Sequence, residues 1–213
     1  MKPFGLYLVM TDPLVGYEEC ARAAVECRVR MLQLRMKKAS DAAFLDMAVK
    51  IRAITQNSET LFIVNDRVDI ARAADADGVH LGQDDMPLQE ARARWPAEGK
   101  IFGLSTHNLG QACAAVMQNP DYIGVGPVFP TPTKEIPDPA VGLEGLRKIL
   151  QAVSLPAVAI GGITPENLPD VLAHGAQNFA VVRAVTKSPD PRAAIQRLLR
   201  TAGIEQILWP RVV

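Results

Sequence analysis

"TLFIVNDRVDIARAADADGVHLGQDD", residues 60–85, contains one structural move and the start of its repeat. The apolar run TLFIV (Thr60–Val64) stops in polar residues and gives way to an alanine-rich amphipathic stretch. A second apolar run follows, GVHL (Gly78–Leu81). Runs this short and uniformly apolar suit strands buried on both faces of a parallel sheet, not amphipathic helices. The move recurs on both sides. GLYLVM (Gly5–Met10) and VRMLQLR (Val29–Arg35) precede it; IFGL (Ile101–Leu104), YIGV (Tyr122–Val125), PAVAI (Pro156–Ile160) and NFAVV (Asn178–Val182) follow.

Between the runs lie helix patterns with recognisable ends. Ser40 can cap DAAFLDMAVKIRAI, and Pro87 can open LQEARARW. Thr164 with Pro165 and Glu166, and Asp190 with Pro191, each read as a cap followed by a first-turn proline; Gly203 reads as a stop. About eight such βα units predict an α/β fold, a single-domain (β/α)8 TIM barrel over residues 1–213, with a short tail from about 204. A doubly wound open sheet is the competing architecture. No GxGxxG follows an early strand, and the units are too regular for a fold of two halves.

Composition narrows the partners. The 213 residues carry no net charge, and aromatics make up 5%, so neither a basic footprint nor a stacking surface for nucleic acid is present. No stretch approaches a membrane span, and MKPFGLYLVMTDP lacks a signal h-region and cleavage site. Cys20, Cys27 and Cys113 have no metal or redox spacing and read as free thiols, so a cytoplasmic location is expected.

In a (β/α)8 barrel the chemistry sits at the C-terminal ends of the strands. Strand two ends in Gln33, Arg35 and Lys37, which alternation sends to one side: either a fork for phosphate oxygens or a solvated basic end. Strands three and four run into Asn65-Asp66-Arg67 and Gly82-Gln83-Asp84-Asp85, where carboxylates from adjacent loops could hold Mg²⁺. Asp84 reads equally as a solvent-facing or capping acid. Strand five ends in Ser105-Thr106-His107, a hydroxyl pair suited to phosphate or to a helix cap. His80, inside a strand, reads as a satisfied core residue, and His107 and His174 as structural or exposed. Strand seven ends in Gly161-Gly162, which would let backbone approach a ligand; strand eight ends in Val182 and Arg183. The loop in GVGPVFPTPTKEIPDPAVGL (Gly124–Leu143), with its prolines, reads as stiffened and presents Thr131, Thr133 and Lys134. Two anion sites and a metal suggest displacement of pyrophosphate between two phosphorylated small molecules.

QLRMK, FIVNDRVD, GVHLGQDD, GLSTH, YIGVGPVFPTPTK and AIGGI, in this order, closely resemble the motif series of the thiamine-phosphate synthase family. The likeness extends from LYLVMTD to the last helix. It implies a Mg²⁺-dependent transferase that joins 4-amino-5-hydroxymethyl-2-methylpyrimidine diphosphate to a thiazole phosphate, plain or carboxylated. Thiamine phosphate and pyrophosphate result, by dissociative displacement. Carried over residue by residue, Gln33, Arg35, Lys37, Asn65, Ser105 and Lys134 hold the diphosphate, with Ser105 and Lys134 catalytic. Asp66 and Asp85 bind magnesium. Thr131, Thr133, Gly162, Val182 and Arg183 hold the thiazole phosphate.

Arg183 departs from the family, which often has serine there; its side chain could contact that phosphate or turn away and leave backbone donors. The tail residues Ile207, Leu208 and Trp209 are expected to pack on the barrel or at a subunit interface, leaving a homo-oligomer open. Two alternatives are a thiazole tautomerase of the same barrel and a non-catalytic binder of thiamine precursors. Neither needs the paired acids.

Overall fold

A computed structural model describes residues 2–133 and 139–204. Its parallel strands bond in chain order: β1 (Gly5–Met10), β2 (Met31–Leu34), β3 (Leu61–Asn65), β4 (Gly78–Leu81), β5 (Ile101–Thr106), β6 (Tyr122–Val125), β7 (Ala157–Ile160) and β8 (Asn178–Val181). β8 returns to β1, with Gly5 opposite Asn178 and Leu8 opposite Val181, so the sheet closes into the expected barrel. Outside it lie α1 (Tyr17–Glu26), α2 (Asp41–Thr55), α3 (Val68–Ala73), α4 (Leu88–Arg94), α5 (Leu109–Gln118), α6 (Gly142–Ala152), α7 (Leu168–Ala173), the single turn α8 (Arg183–Thr186) and α9 (Pro191–Thr201).

Alternation within each strand builds two cores from one apolar run. Leu6, Leu8 and Met10 of β1 face the helices and join the large outer core. Tyr7 and Val9, between them, face inward with Met31, Ile63, Tyr122, Val158 and Ala180 to fill the barrel. Both faces are buried, which is why the strands read as continuous apolar runs.

Several helix ends are as the sequence predicts. Ser40 Oγ accepts from the Ala43 N–H, Asp190 from the Ala193 N–H at 2.9 Å, and Gly203 leaves α9 at φ 63°. The Thr164 cap is corrected: residues 165–167 form a turn, α7 starts at Leu168, and the Asn167 side chain accepts from the Thr164 N–H. Pro87 precedes α4, which ends at Arg94 and not at Trp95. β2 is shorter than VRMLQLR and ends before Arg35.

The N-terminal rim repeats one device. Asp77, just before β4, accepts from the Phe62 N–H of β3 at 2.7 Å; Asp121, just before β6, accepts from the Phe102 N–H of β5 at 2.8 Å. Asn178, the first residue of β8, accepts from the N–H groups of Phe4 and Gly5. Each side chain supplies a partner to an amide at the start of the neighbouring strand. Asp77→Ala is therefore expected to cost about 1–3 kcal/mol in urea unfolding, because it strips a charged acceptor from a buried amide. A stability within error of the parent would show that water replaces the carboxylate.

Candidate functional site

At the opposite rim, β3 ends at Asn65 and the chain turns sharply. Asp66 takes a left-handed φ of 62°, a conformation aspartate tolerates better than most residues, and its N–H donates to the His80 carbonyl at 2.8 Å. The turn brings its carboxylate to the β4 loop, where Asp85 is held by the Gly82 N–H at 2.7 Å. A Cβ on Gly82 would lie 2.8 Å from that carboxylate oxygen, so a larger residue there would have to push the carboxylate aside.

The Asp66 and Asp85 carboxyl groups come within hydrogen-bonding reach of each other, a bond that needs one of them protonated, and Lys37 pairs with Asp66. Burial, and then the neighbouring Asp85, push the Asp66 carboxyl up to about 6, while Lys37 pulls it down. At Asp85 burial also favours the neutral acid, but hydrogen bonds from Asp66 and the Gly82 amide, with Lys37 nearby, hold it below the ordinary carboxylate range. Below about pH 6 the pair therefore holds one proton, on Asp66. Asp84 is exposed.

Beneath this pair, a line of polar groups crosses the barrel interior. Gln33 is buried on β2 and donates through Nε2 to the Tyr7 hydroxyl at 2.8 Å. The Tyr7 hydroxyl lies 2.9 Å from that of Tyr122, which lies 3.0 Å from His80 Nδ1. His80 Nε2 lies 2.9 Å from Ser105 Oγ. His80 is thus satisfied, as expected, but its partner is one of the candidate residues. Thr106, its neighbour, is corrected: it points outward, is fully buried, and donates to the Gly124 carbonyl. Neither hydroxyl caps the next helix, since Asn108 does so through Gln111.

The fork of Gln33, Arg35 and Lys37 is also revised. Alternation ends at Leu34, so the last two side chains leave from a loop. Arg35 reaches Thr11 Oγ1 at 3.5 Å, and Lys37 goes to Asp66.

Across the mouth, the β6 loop is stapled to the end of β7. Val128 donates to the Ile160 carbonyl at 2.8 Å, and Phe129 to the Gly161 carbonyl at 3.0 Å. A Cβ on Gly161 would lie 2.5 Å from Pro127, and one on Gly162 would lie 2.7 Å from Phe129 Cβ. The two glycines thus admit protein backbone, where the sequence suggested a ligand. Thr131 and Thr133 follow directly, with hydroxyls 3.0 Å apart. Val182 opens the turn of α8, and Arg183 is exposed beside it. Lys134 and the tail residues Ile207, Leu208 and Trp209 lie outside the described residues.

This arrangement has relatives. The family model for thiamine monophosphate synthase matches residues 6–185. The chain belongs to the thiamine monophosphate synthase family. It is 44% identical over 192 residues to a thiamine-phosphate synthase of Archaeoglobus fulgidus, covering 89% of this chain and 90% of that one. It is 44% identical over 202 residues to one of Chloroflexus aurantiacus, covering 93% of each. A solved thiamine phosphate pyrophosphorylase from Pyrococcus furiosus superposes with a TM-score of 0.87 at 38% identity, covering 95% of this chain and 96% of that one.

Within this family frame, the chain connects its candidate residues in separate groups. Lys37, Asp66 and Asp85 form one, and Gln33 and Ser105 the two ends of another. Thr131 and Thr133 meet just after the β6–β7 staple, in which Gly162 lies against Phe129 and Pro130. Sequence reading missed Tyr7 and Tyr122 as part of this site. The available signal was parity: both are tyrosines at inward positions of otherwise apolar strands.

Proposed function

We propose that this chain is a thiamine-phosphate synthase, a transferase that joins 4-amino-5-hydroxymethyl-2-methylpyrimidine diphosphate to a thiazole phosphate, releasing pyrophosphate. The observation that carries this reading is the Asp66–Asp85 carboxylate pair beside Lys37. Carboxylates brought this close, both partly buried, are a site for a divalent cation.

The donor set fits Mg²⁺ in particular. Among the described residues no group of three or more His, Cys, Asp or Glu gathers as a complete cage. Two carboxylates that leave positions for water and phosphate oxygens suit this ion. Asp66 and Asp85 would hold it, and when bound it supplies charge neutralisation at the diphosphate.

The chain's own residues do the rest. Lys37 is half-exposed and would turn from Asp66 to the diphosphate. Arg35 lies at the same rim, and the Ser105 hydroxyl would face the diphosphate there. Lys134 would close over the leaving group from the β6 loop, and Thr131 and Thr133, with Gly162, Val182 and Arg183, would hold the thiazole phosphate. Such a site stabilises departing negative charge and positions the nucleophile, which is what a dissociative displacement requires. The paired acids favour this reading over a metal-free thiazole tautomerase and over a simple binder.

Purified protein given both substrates and Mg²⁺ is expected to form thiamine phosphate and pyrophosphate in equal amounts, and chelator is expected to stop it. A folded protein that binds thiazole phosphate but yields no product would sink the synthase reading. Undiminished turnover in chelator would remove the metal from it.

A further inference from the structure

We propose that Gln33, Tyr7, Tyr122 and His80 form a one-directional hydrogen-bond relay that keeps the His80 proton on Nε2, so that Ser105 Oγ accepts from the imidazole and donates its own proton toward the barrel mouth. The functional part rests on the reading above, in which the Ser105 hydroxyl stands beside the diphosphate.

The direction follows from what each group can do. An amide nitrogen only donates, and Gln33 Nε2 is 2.8 Å from the Tyr7 oxygen. Tyr7 therefore accepts there and passes its single proton to the Tyr122 oxygen, 2.9 Å away. Tyr122 in turn donates to His80 Nδ1 at 3.0 Å. An imidazole that accepts at Nδ1 carries its hydrogen on Nε2, which faces Ser105 Oγ at 2.9 Å. A serine hydroxyl that accepts from the ring keeps its own proton for another acceptor. Burial holds both tyrosines far above their ordinary ionisation range, so each brings one proton to the line.

The packing holds this line in place. The His80 ring stacks on Tyr122 with centroids 5.4 Å apart and planes 23° apart. Gly103 of β5 makes the stack possible: a Cβ there would lie 2.3 Å from Tyr122 Cζ and 2.5 Å from His80 Nδ1. Gly124 of β6 borders the ring from the neighbouring strand, its added Cβ falling 3.4 Å from His80 Cε1. The polarity has a chemical consequence. Run the other way, the relay would leave Ser105 donating inward and presenting lone pairs to an anion. Run as proposed, it presents a proton to the developing charge of the leaving group.

Three measurements test this. In protein labelled with ¹⁵N-histidine, long-range proton–nitrogen spectra, assigned with His80→Asn, are expected to place the His80 ring hydrogen on Nε2, with Nδ1 accepting. Tyr122→Phe is expected to mix the two tautomers and to lower kcat about fivefold to tenfold, leaving KM for the thiazole phosphate near the parent value. In a Ser105→Ala background the same change is expected to add little, because both substitutions break one line. Protonation on Nδ1 in the parent protein would overturn the proposal, as would a Tyr122→Phe effect that multiplies fully with Ser105→Ala. A protein that makes no thiamine phosphate at all would fail the synthase reading, and the tautomer would still decide the relay.

Discussion

Asp66→Asn is expected to lower turnover by roughly 10²–10³-fold, the scale of losing a charged group that acts on the transition state, while the protein unfolds at or above the parent temperature near neutral pH. The two halves of this expectation have one cause. Burial and Asp85 oppose ionisation of Asp66, whose carboxyl titrates at about 6 in place of 3.8. A group with a raised folded-state pKa favours the fold most below its unfolded value, and that contribution fades as pH climbs through the folded value. At neutral pH the metal-free fold therefore carries an ionised Asp66 at a cost. Asparagine keeps the shape and removes the charge, so the fold gains what the chemistry loses. Calorimetric unfolding of metal-free parent and variant at pH 5 and pH 8 checks the first half: the difference should favour the variant more at pH 8. Steady-state turnover with saturating Mg²⁺ checks the second. Near-parental turnover would remove Asp66 from the metal site, and a large loss of stability at pH 8 would give it a structural role instead.

The barrel was legible because its strands are buried on both faces. Gly5–Met10, Gly78–Leu81 and Tyr122–Val125 are bounded in the structure as the apolar runs are bounded in sequence. What a uniformly apolar run conceals is register. Tyr122 meets Gly103 across one pair of strands, and Gln33 meets Val9 across another. Neither pairing is visible in local sequence, so the line from Gln33 to Ser105 could not be traced. Parity alone would have separated Ser105 from Thr106, since neighbours on a strand face opposite ways. The Gly161-Gly162 pair illustrates a different limit. Glycine announces that something comes close without saying what, and here it is the backbone of Pro127–Pro130. The directions of the Arg35 and Lys37 side chains were misread for a third reason: alternation was extended past Leu34, beyond the point where the strand stops.

Because Asp66 holds a proton beside Asp85 below about pH 6, cation binding in that range is expected to release it. A divalent ion that takes both carboxylates displaces the proton on Asp66, so affinity should fall as pH drops below the Asp66 value of about 6. The slope approaches tenfold per pH unit, which makes Mg²⁺ binding roughly thirtyfold weaker at pH 4.5 than at pH 8. Titration calorimetry at pH 5 in two buffers of different ionisation enthalpy should report close to one proton released per ion, and almost none at pH 8. Lys37 sharpens the expectation. Its ammonium pairs with Asp66 and opposes that carboxyl's upward shift, so Lys37→Met should raise the Asp66 value further and carry the pH midpoint of binding upward with it. A pH-independent affinity would mean that the two carboxylates do not bind the ion together. A midpoint unmoved by Lys37→Met would mean that the lysine is already drawn away from the pair in solution.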